Sequence, residues 1–265
     1  MFDLFHSLPE QGLIFFTGCV RPLTFFFLVP FLGGDAVPGQ LRVSLAFLLA
    51  LFAYPLFAGL SPPDSGTALA LWLLCVLGKE ILAGFMQAYA ASVVFWAMLS
   101  AGFIMDNQRG AGMAQATDPA SGESSSLFGG FLHEIAIYIL FSSGAFLHIL
   151  LFLLAGYAVC PPGFEMGAEA RNVLPFFLMG QFSRLMVMSV LFAAPIMLIC
   201  LLSDLSLGLV NRFAPQLNVF FLSMPIKSAL GLFMILLYLG TLLPLVTREL
   251  FSIGGHMDAV WNAVR

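Results

Sequence analysis

The sequence predicts an all-α integral membrane protein built from long helices and helical hairpins. Two features of its composition indicate this class: 60% of the 265 residues are hydrophobic, and only 9% are charged. Soluble domains carry about 25% charged residues, so this chain could not cover its own surface with polar groups. A third observation is that the apolar residues form runs of helical length, without the alternation that would indicate a barrel.

Six apolar runs are separated by short polar breaks that contain Gly and Pro. They cover residues 11–33, 43–60, 68–105, 127–160, 173–210 and 228–247. A helix needs about 20 residues to cross the hydrocarbon core of a bilayer, and the third, fourth and fifth runs are much longer than this. We expect each of these three to be either a helical hairpin or a long helix buried in an assembly.

Charged side chains lie inside the three long runs. Lys79 and Glu80 interrupt the third run, Glu134 the fourth, and Arg184 the fifth. A charge that faces lipid costs about 2.5–3.5 kcal/mol on insertion scales, so these groups should face protein or water. They could form a proton or ion relay, or they could pair across helices and between subunits. We prefer pairing, because the chain lacks the two similar halves of a secondary transporter.

The distribution of Lys and Arg does not set a membrane orientation. If each run crosses once, Arg42, Arg109, Arg212 and Lys227 collect on one side, and Arg171, Arg248 and Arg265 on the other. The positive-inside rule needs a clearer excess than four against three. A protein whose final place is a protein complex, rather than the plane of the bilayer, need not obey this rule.

No enzyme motif in the sequence is complete. His133 and Glu134 begin an HExxH zinc motif, but Ile137 occupies the place of the second His. The chain also lacks a phosphate-binding Gly loop, a CxxC pair and a basic run suited to nucleic acid. We therefore predict a protein that is not an enzyme, has no catalytic, metal-binding or cofactor-binding residues, and does not bind nucleic acid.

A polar insert separates the third and fourth runs. It reads DNQRGAGMAQATDPASGESSS over residues 106–126 and is rich in small residues. Its glycines allow many backbone conformations, and Asp118-Pro119 favours a turn. The insert could be an ordinary aqueous loop, or it could fill a channel mouth and move aside.

The segment from Asn218 to Lys227 precedes the last apolar run. Pro225 should break a helix there, leaving Lys227 at the head of the run. We predict that this elbow joins a hairpin that packs on a partner subunit.

Short motifs follow one another in a definite order along nearly the whole chain. They are Arg21, Pro30-Phe31, Val37-Pro38 and Leu41-Arg42 near the start, Ala101-Gly102, Asp106, Gln108, Gly110 and Asp118-Pro119 in the middle, and Pro215-Gln216-Leu217-Asn218-Val219-Phe220, Met224-Pro225-Ile226-Lys227 and Gly231 near the end. In order and spacing the chain resembles the type III secretion export apparatus proteins of the SctT/FliR family. The Met-Pro-Ile-Lys form favours the virulence-type SctT branch over flagellar FliR.

The resemblance implies a single export-gate domain over residues 1–265, with a first part similar to SctR/FliP and a last part similar to the SctS/FliQ hairpin. It implies a multi-pass subunit of the bacterial inner membrane. With SctR/FliP- and SctS/FliQ-type proteins, this subunit would form the pore through which unfolded proteins are secreted. SctU/FlhB- and SctV/FlhA-type proteins would be further partners. The alternative from another class is a stand-alone small-solute transporter or channel.

Two groups of site residues follow from this interpretation. The resemblance implies that the insert is a pore plug, with Asp106, Gln108, Gly110, Gly112, Asp118, Pro119 and Gly122 as its residues. Subunit packing is assigned to Lys79, Glu80, Glu134, Arg184, Asn218, Pro225 and Lys227. No cofactor is expected.

Overall fold

A computed structural model describes residues 2–33, 37–60, 62–63, 66–110, 126–163, 168–214, 216 and 218–255. These residues form α-helices joined by short turns, and no β-strand occurs among them. The helices are α1 (Phe2–Leu28), α2 (Gly39–Ala53), α3 (Thr67–Gln108), α4 (Leu127–Ser142), α5 (Ala145–Val159), α6 (Ala168–Phe213) and α7 (Val219–Phe251). The predicted all-α fold is confirmed.

The three over-long runs have two different structures. The third and fifth runs are single helices, α3 with 42 residues and α6 with 46 residues. At about 1.5 Å per residue they measure roughly 63 and 69 Å, about twice the thickness of the ~30 Å hydrocarbon core. The fourth run is instead a bent pair of helices, because Ser143 and Gly144 interrupt it between α4 and α5.

Glycines with positive φ stand at the ends of α3 and α4. Gly110 (φ +83°) follows α3, and its N–H donates to the carbonyl of Asn107 at 3.1 Å. Gly144 (φ +76°) separates α4 from α5. For a residue with a Cβ, this left-handed conformation is less stable than the right-handed one by roughly 1–2 kcal/mol. Glycine therefore allows the chain to turn where these helices stop.

The chain divides into two compact units. The first unit comprises Met1–Ser92, Gly144–Gln181 and Phe251–Arg265, and the second comprises Val93–Ser143 and Phe182–Leu250. The long helices α3 and α6 each contribute one part to each unit.

An aromatic cluster forms part of the core of the first unit. The Phe57 and Tyr157 rings lie 5.4 Å apart, and both side chains are buried with Ile14 and Ala53. The Tyr157 hydroxyl donates to the carbonyl of Gly18 at 2.5 Å. A Cβ at Gly18 would collide with the Phe57 ring. The absence of a side chain at Gly18 therefore lets α1 pack closely against this cluster.

A close helix crossing joins α3 and α4 in the second unit. Gly102 and Gly129 are both buried, and a Cβ on Gly102 would collide with the backbone of Gly129. A Cβ on Gly129 would lie 3.0 Å from the carbonyl oxygen of Leu99. Small residues commonly allow this kind of approach between helices in membranes.

Among the described residues, five segments are long and apolar enough to cross a membrane. They are Glu10–Leu28, Gly39–Leu56, Thr67–Gln108, Asn172–Phe213 and Phe221–Phe251. The bent pair α4–α5 makes a sixth if it counts as one span. Large apolar side chains point outward from several of these segments, as at Leu74, Phe176 and Leu209. The predicted membrane protein class is confirmed.

Candidate functional site

The two ends of the polar insert are held together by side chains of the second unit. Asp106 lies in the last turn of α3, and its side chain is buried. Its Oδ2 accepts hydrogen bonds from the Ser126 hydroxyl at 2.6 Å and from the Phe128 N–H at 3.1 Å. Ser126 directly precedes α4. The carboxylate therefore joins the end of one helix to the start of the next.

The other carboxylate oxygen of Asp106 binds Arg109. Arg109 Nε donates to Oδ1 at 2.8 Å, and Nη2 lies 2.7 Å from the same oxygen. The Arg109 guanidinium carbon also lies 4.0 Å from the centre of the Phe128 ring, in cation–π geometry. The Arg109 side chain thus contacts α3 through its ion pair with Asp106, and α4 through the face of the Phe128 ring. We call Asp106, Arg109, Ser126 and Phe128 the insert clamp.

The start of α4 is capped twice within this clamp. The Ser126 hydroxyl accepts the N–H of Gly129 at 2.8 Å, which is the usual N-cap bond. Asp106 satisfies a second free amide, that of Phe128, and places a negative charge at the positive end of the helix dipole. Four donor contacts also compensate the buried carboxylate for its lost hydration.

Lys227 of α7 is connected to the same region. Its Nζ donates to the carbonyl of Gln108, the last residue of α3, at 3.3 Å. The same Nζ pairs with the Asp204 carboxylate of α6, at 2.6 Å from Oδ1 and 2.8 Å from Oδ2. Lys227 therefore ties the carboxyl end of α3 to both helices of the second unit's α6–α7 pair.

The predicted plug residues fall into two sets. Asp106, Gln108 and Gly110 are described, and they lie at the end of α3, at or beside the insert clamp. The other four lie outside the described residues: Gly112, Asp118, Pro119 and Gly122.

Lys79 and Glu80 belong to a buried polar cluster in the first unit. Glu80 accepts two hydrogen bonds from Arg21 of α1, at 2.8 Å from Nε to Oε2 and 2.9 Å from Nη2 to Oε1. Both side chains are fully buried. Lys79 Nζ lies 3.5 Å from Glu80 Oε1. This arrangement joins α1 to α3.

The same cluster holds the chain that follows α5. Arg21 Nη2 donates to the carbonyl of Cys160 at 2.7 Å, and Lys79 Nζ donates to the carbonyls of Pro161 and Pro162, each at 2.5 Å. The Arg21 guanidinium also stacks 4.2 Å above the centre of the Tyr157 ring. Cations satisfy carbonyls left free beyond a helix end, so the cluster connects three separate segments of the first unit.

Arg184 also has a partner within the chain. It pairs with Glu249 of α7 in the second unit, in a partly exposed contact. Glu134 differs from the other three charges, because its side chain is exposed and has no ion-pair partner among the described residues. Glu80 and Arg184 therefore pair across helices within this chain, whereas Lys79 contacts Glu80 of its own helix and two backbone carbonyls beyond α5.

The predicted break at Pro225 is wrong. α7 begins at Val219 and continues through both Pro225 and Pro244. The helix begins only six residues before Pro225, and the first helical bond runs from Leu222 N–H to the Asn218 carbonyl. The missing proline N–H removes one bond near the helix end, and membrane helices tolerate such losses. Lys227 consequently lies within α7, while the exposed Asn218 directly precedes this helix.

Sequence reasoning did not assign Arg21 or Glu249 a charge partner. Each is an ionisable residue within an apolar helix, and each has the sign needed by an intramembrane charge elsewhere in the chain. Matching each cation inside an apolar run with each anion inside another run would have given a short set of possible pairs. Choosing among them requires the helix packing, since Arg21 and Glu80 are 59 residues apart.

The described residues show no group of three or more His, Cys, Asp or Glu arranged to hold a metal ion. Several of their charged side chains form ion pairs and helix caps, and these contacts position backbone segments. Together with the apolar spans, these contacts define a multi-pass α-helical membrane protein in which a polar clamp joins the end of α3 to the start of α4.

The chain belongs to the family described as "Bacterial export proteins, family 1", whose model matches residues 13–253. It is 38% identical to the Yop proteins translocation protein T of Yersinia pestis over 219 residues, which is 82% of each chain. It is 31% identical to the surface presentation of antigens protein SpaR of Shigella flexneri over 234 residues, 87% of this chain and 86% of the relative.

A flagellar relative is similar over a longer stretch at lower identity. The flagellar biosynthetic protein FliR of Bacillus subtilis is 29% identical over 254 residues, 95% of this chain and 92% of that protein. The resemblance to the SctT/FliR family is thereby confirmed, and the higher identity to the Yersinia protein supports the SctT branch.

Proposed function

We propose that this chain is a subunit of the type III secretion export gate in the bacterial inner membrane. With SctR/FliP- and SctS/FliQ-type proteins it forms the pore through which unfolded proteins are secreted. Family membership and relatives named as translocation, secretion apparatus and flagellar biosynthetic proteins support this assignment. SctU/FlhB- and SctV/FlhA-type proteins are further partners, and the chain contributes structure rather than catalysis.

The dimensions of the helices support a place in an assembly. A lone protein in a bilayer would have to accommodate helices of 42 and 46 residues by tilting or by extending them into water. Neighbouring subunits can instead cover helices of this length. They would also supply a partner for Glu134, whose exposed charge faces outward from α4. We propose that residues 1–265 act as one domain, SctR/FliP-like in its first part and SctS/FliQ-like in its last.

The insert clamp is the observation that carries the plug proposal. An apolar helix of 42 residues ends in a polar clamp, and the next helix starts from the same clamp. Residues 111–125 connect these two points, and they are the plug in this proposal, with Asp106, Gln108 and Gly110 at its base. A small, polar segment can fill a water-filled lumen by volume and hydrogen bonding, which leaves little binding energy to overcome on opening.

The assembly can be tested by native mass spectrometry after mild detergent extraction. The full chain should be isolated together with two other small membrane proteins, of the SctR and SctS types. A homo-oligomer of this chain alone would favour the small-solute transporter and contradict the proposal. Photocrosslinks from Asn218, which is exposed before α7, should identify one of the partners.

The plug is tested by deleting residues 112–122 and measuring ion and dye leakage in cells that overproduce the complex. The deletion keeps Gly110 and the insert clamp, so assembly should remain intact while leakage rises. A matched control keeps the length and composition of 112–122 but scrambles their order. The scrambled insert should remain tight, because space filling depends on volume rather than on sequence. A deletion complex as tight as the parent would identify the insert as an ordinary surface loop.

A further inference from the structure

We propose that Asp106 is the positioning residue of the insert. Its carboxylate holds the end of α3 against the start of α4, so that residues 111–125 are anchored at both ends. The use of this anchor in a plug depends on the proposed function, whereas the anchoring itself depends only on the contacts of the described residues.

Chain connectivity alone cannot hold the two ends together. Fifteen residues separate Gly110 from Ser126. An extended segment of this length reaches about 50 Å, at 3.3–3.6 Å per residue. Hydrogen bonds of 2.6 and 3.1 Å from Ser126 and Phe128 to Asp106 instead join the two ends directly. These bonds, and not the connecting peptide, decide where the insert begins and ends.

The position of Asp106 distinguishes it from a local helix cap. Ser126 already provides the local cap of α4 by accepting the N–H of Gly129. Asp106 comes from another helix, 20 residues earlier than Ser126, and it uses Oδ2 for α4 and Oδ1 for Arg109 of its own helix. Oδ2 therefore joins α3 to α4, while Oδ1 orients Arg109, whose guanidinium lies over the Phe128 ring of α4.

The other contacts of this region converge on the same two ends. Arg109 covers the Phe128 ring, and the Gly102–Gly129 crossing lets α3 and α4 approach closely. Lys227 holds the Gln108 carbonyl and pairs with Asp204. A cation at the carboxyl end of α3 also complements the helix dipole. The end of α3 is thereby tied to α6 and α7.

Hydrogen exchange measured by mass spectrometry on the assembled membrane complex tests the anchor. In Asp106→Ala, the amides of the first turn of α4 should exchange about 5- to 30-fold faster, the factor expected for losing one to two kcal/mol of local stability. Asn107→Ala is the matched control, because Asn107 is the exposed neighbour of Asp106 and should leave this exchange unchanged. The peptide 145–159 reports whether the first unit is intact.

Two milder variants keep the test valid if Asp106→Ala does not assemble. Asp106→Asn retains an acceptor for the Phe128 amide but loses the charge that binds Arg109. Ser126→Ala removes one donor to Asp106 and the local cap. Both should accelerate exchange in the first turn of α4, by less than the alanine variant at 106 where that variant can be measured. Unchanged exchange in these variants would overturn the proposal.

Ion leakage measured on the same complexes separates the anchor from the plug. If hydrogen exchange is faster in Asp106→Ala but the complex with the 112–122 deletion stays tight to ions, the anchoring role of Asp106 is supported and the plug hypothesis is wrong. If the deletion complex leaks ions but Asp106→Ala exchanges at the parental rate, the plug hypothesis is supported and the anchoring role of Asp106 is wrong.

Discussion

Arg21 of α1 and Glu80 of α3 form a two-point ion pair, with contacts of 2.8 and 2.9 Å, in a site from which water is excluded. Neither side chain is exposed, and Lys79 lies close enough to pair with the same carboxylate. The pair secures the first helix to the first third of a 42-residue helix. Its contribution is best described as positional, because the desolvation of two buried charges can offset their attraction.

Removing one member of this pair should be severe. Glu80→Ala leaves Arg21 buried with an uncompensated charge, which typically costs about 3–5 kcal/mol. We expect little folded protein in detergent, measured as the monodisperse fraction on size exclusion after co-expression with the partner subunits.

The control for that prediction is the double variant Arg21→Met with Glu80→Leu. It removes both charges and keeps apolar volume, so it should lose clearly less stability than Glu80→Ala alone. If the double variant is as unstable as the sum of the two single variants, the interaction between Arg21 and Glu80 is not what holds these helices.

The Arg184–Glu249 pair should contribute much less. Both side chains are partly exposed, and Glu249 lies near the end of the apolar segment Phe221–Phe251, so we expect water to reach this pair and screen its attraction. We expect Arg184→Ala and Glu249→Ala each to lower stability by about 1 kcal/mol or less, and the double variant to add little to either. The measurement is the shift of the thermal midpoint of the purified complex. A large and additive loss would mean that the two residues act independently.

Glu134→Ala is the comparison for Glu80→Ala, because Glu134 has no ion-pair partner among the described residues. Its side chain is exposed on α4, so intrinsic stability of the chain should stay near the parent value. If Glu134 pairs with a neighbouring subunit, co-purification of the partners will fall while the thermal midpoint of the chain stays the same. Equal co-purification with parent protein would remove Glu134 from the subunit-packing residues.

Adjacent glycines in α4 should respond oppositely to alanine. A Cβ at Gly129 would lie 2.8 Å from the Ser126 hydroxyl oxygen and 3.0 Å from the Leu99 carbonyl, so Gly129→Ala should destabilise by about 1–3 kcal/mol. Gly130 has open space around its missing Cβ, and Gly130→Ala should be neutral or stabilising by up to about 1 kcal/mol. Thermal midpoints of the two variants, measured side by side, check this. Equal effects would contradict the close crossing of α3 and α4.

Exchanging the charges of Lys227 and Asp204 tests the link between α7 and the insert clamp. The double variant Lys227→Asp with Asp204→Lys can restore an ion pair between α6 and α7. The carboxylate that this exchange places on α7 has no donor for the Gln108 carbonyl, which Lys227 contacts in the parent. We expect near-parental thermal stability with faster hydrogen exchange at the end of α3. Parental exchange there would show that the Lys227 contact with Gln108 is dispensable.

The membrane class, the helix content and the family likeness were determined by the sequence alone. Apolar runs of 18 or more residues are read directly from composition, because the cost of unsatisfied backbone groups in lipid permits few structures besides helices. The polar insert between α3 and α4 was also visible in the sequence, as a stretch rich in Gly, Ser and Asp between two apolar runs.

The tertiary structure decided which charges meet and which long runs bend. Arg21 and Glu80 are far apart in sequence, and only the packing of α1 on α3 brings them together. Periodicity likewise did not separate one helix of 46 residues from a bent pair, because the difference lies in a single left-handed glycine at 144. At Pro225 the local preference of proline predicted a break, but α7 continues through this residue. Here the surrounding structure outweighed the local signal. Long-range ion pairs and helix crossings depend on three-dimensional proximity, which a linear pattern of residue types does not contain.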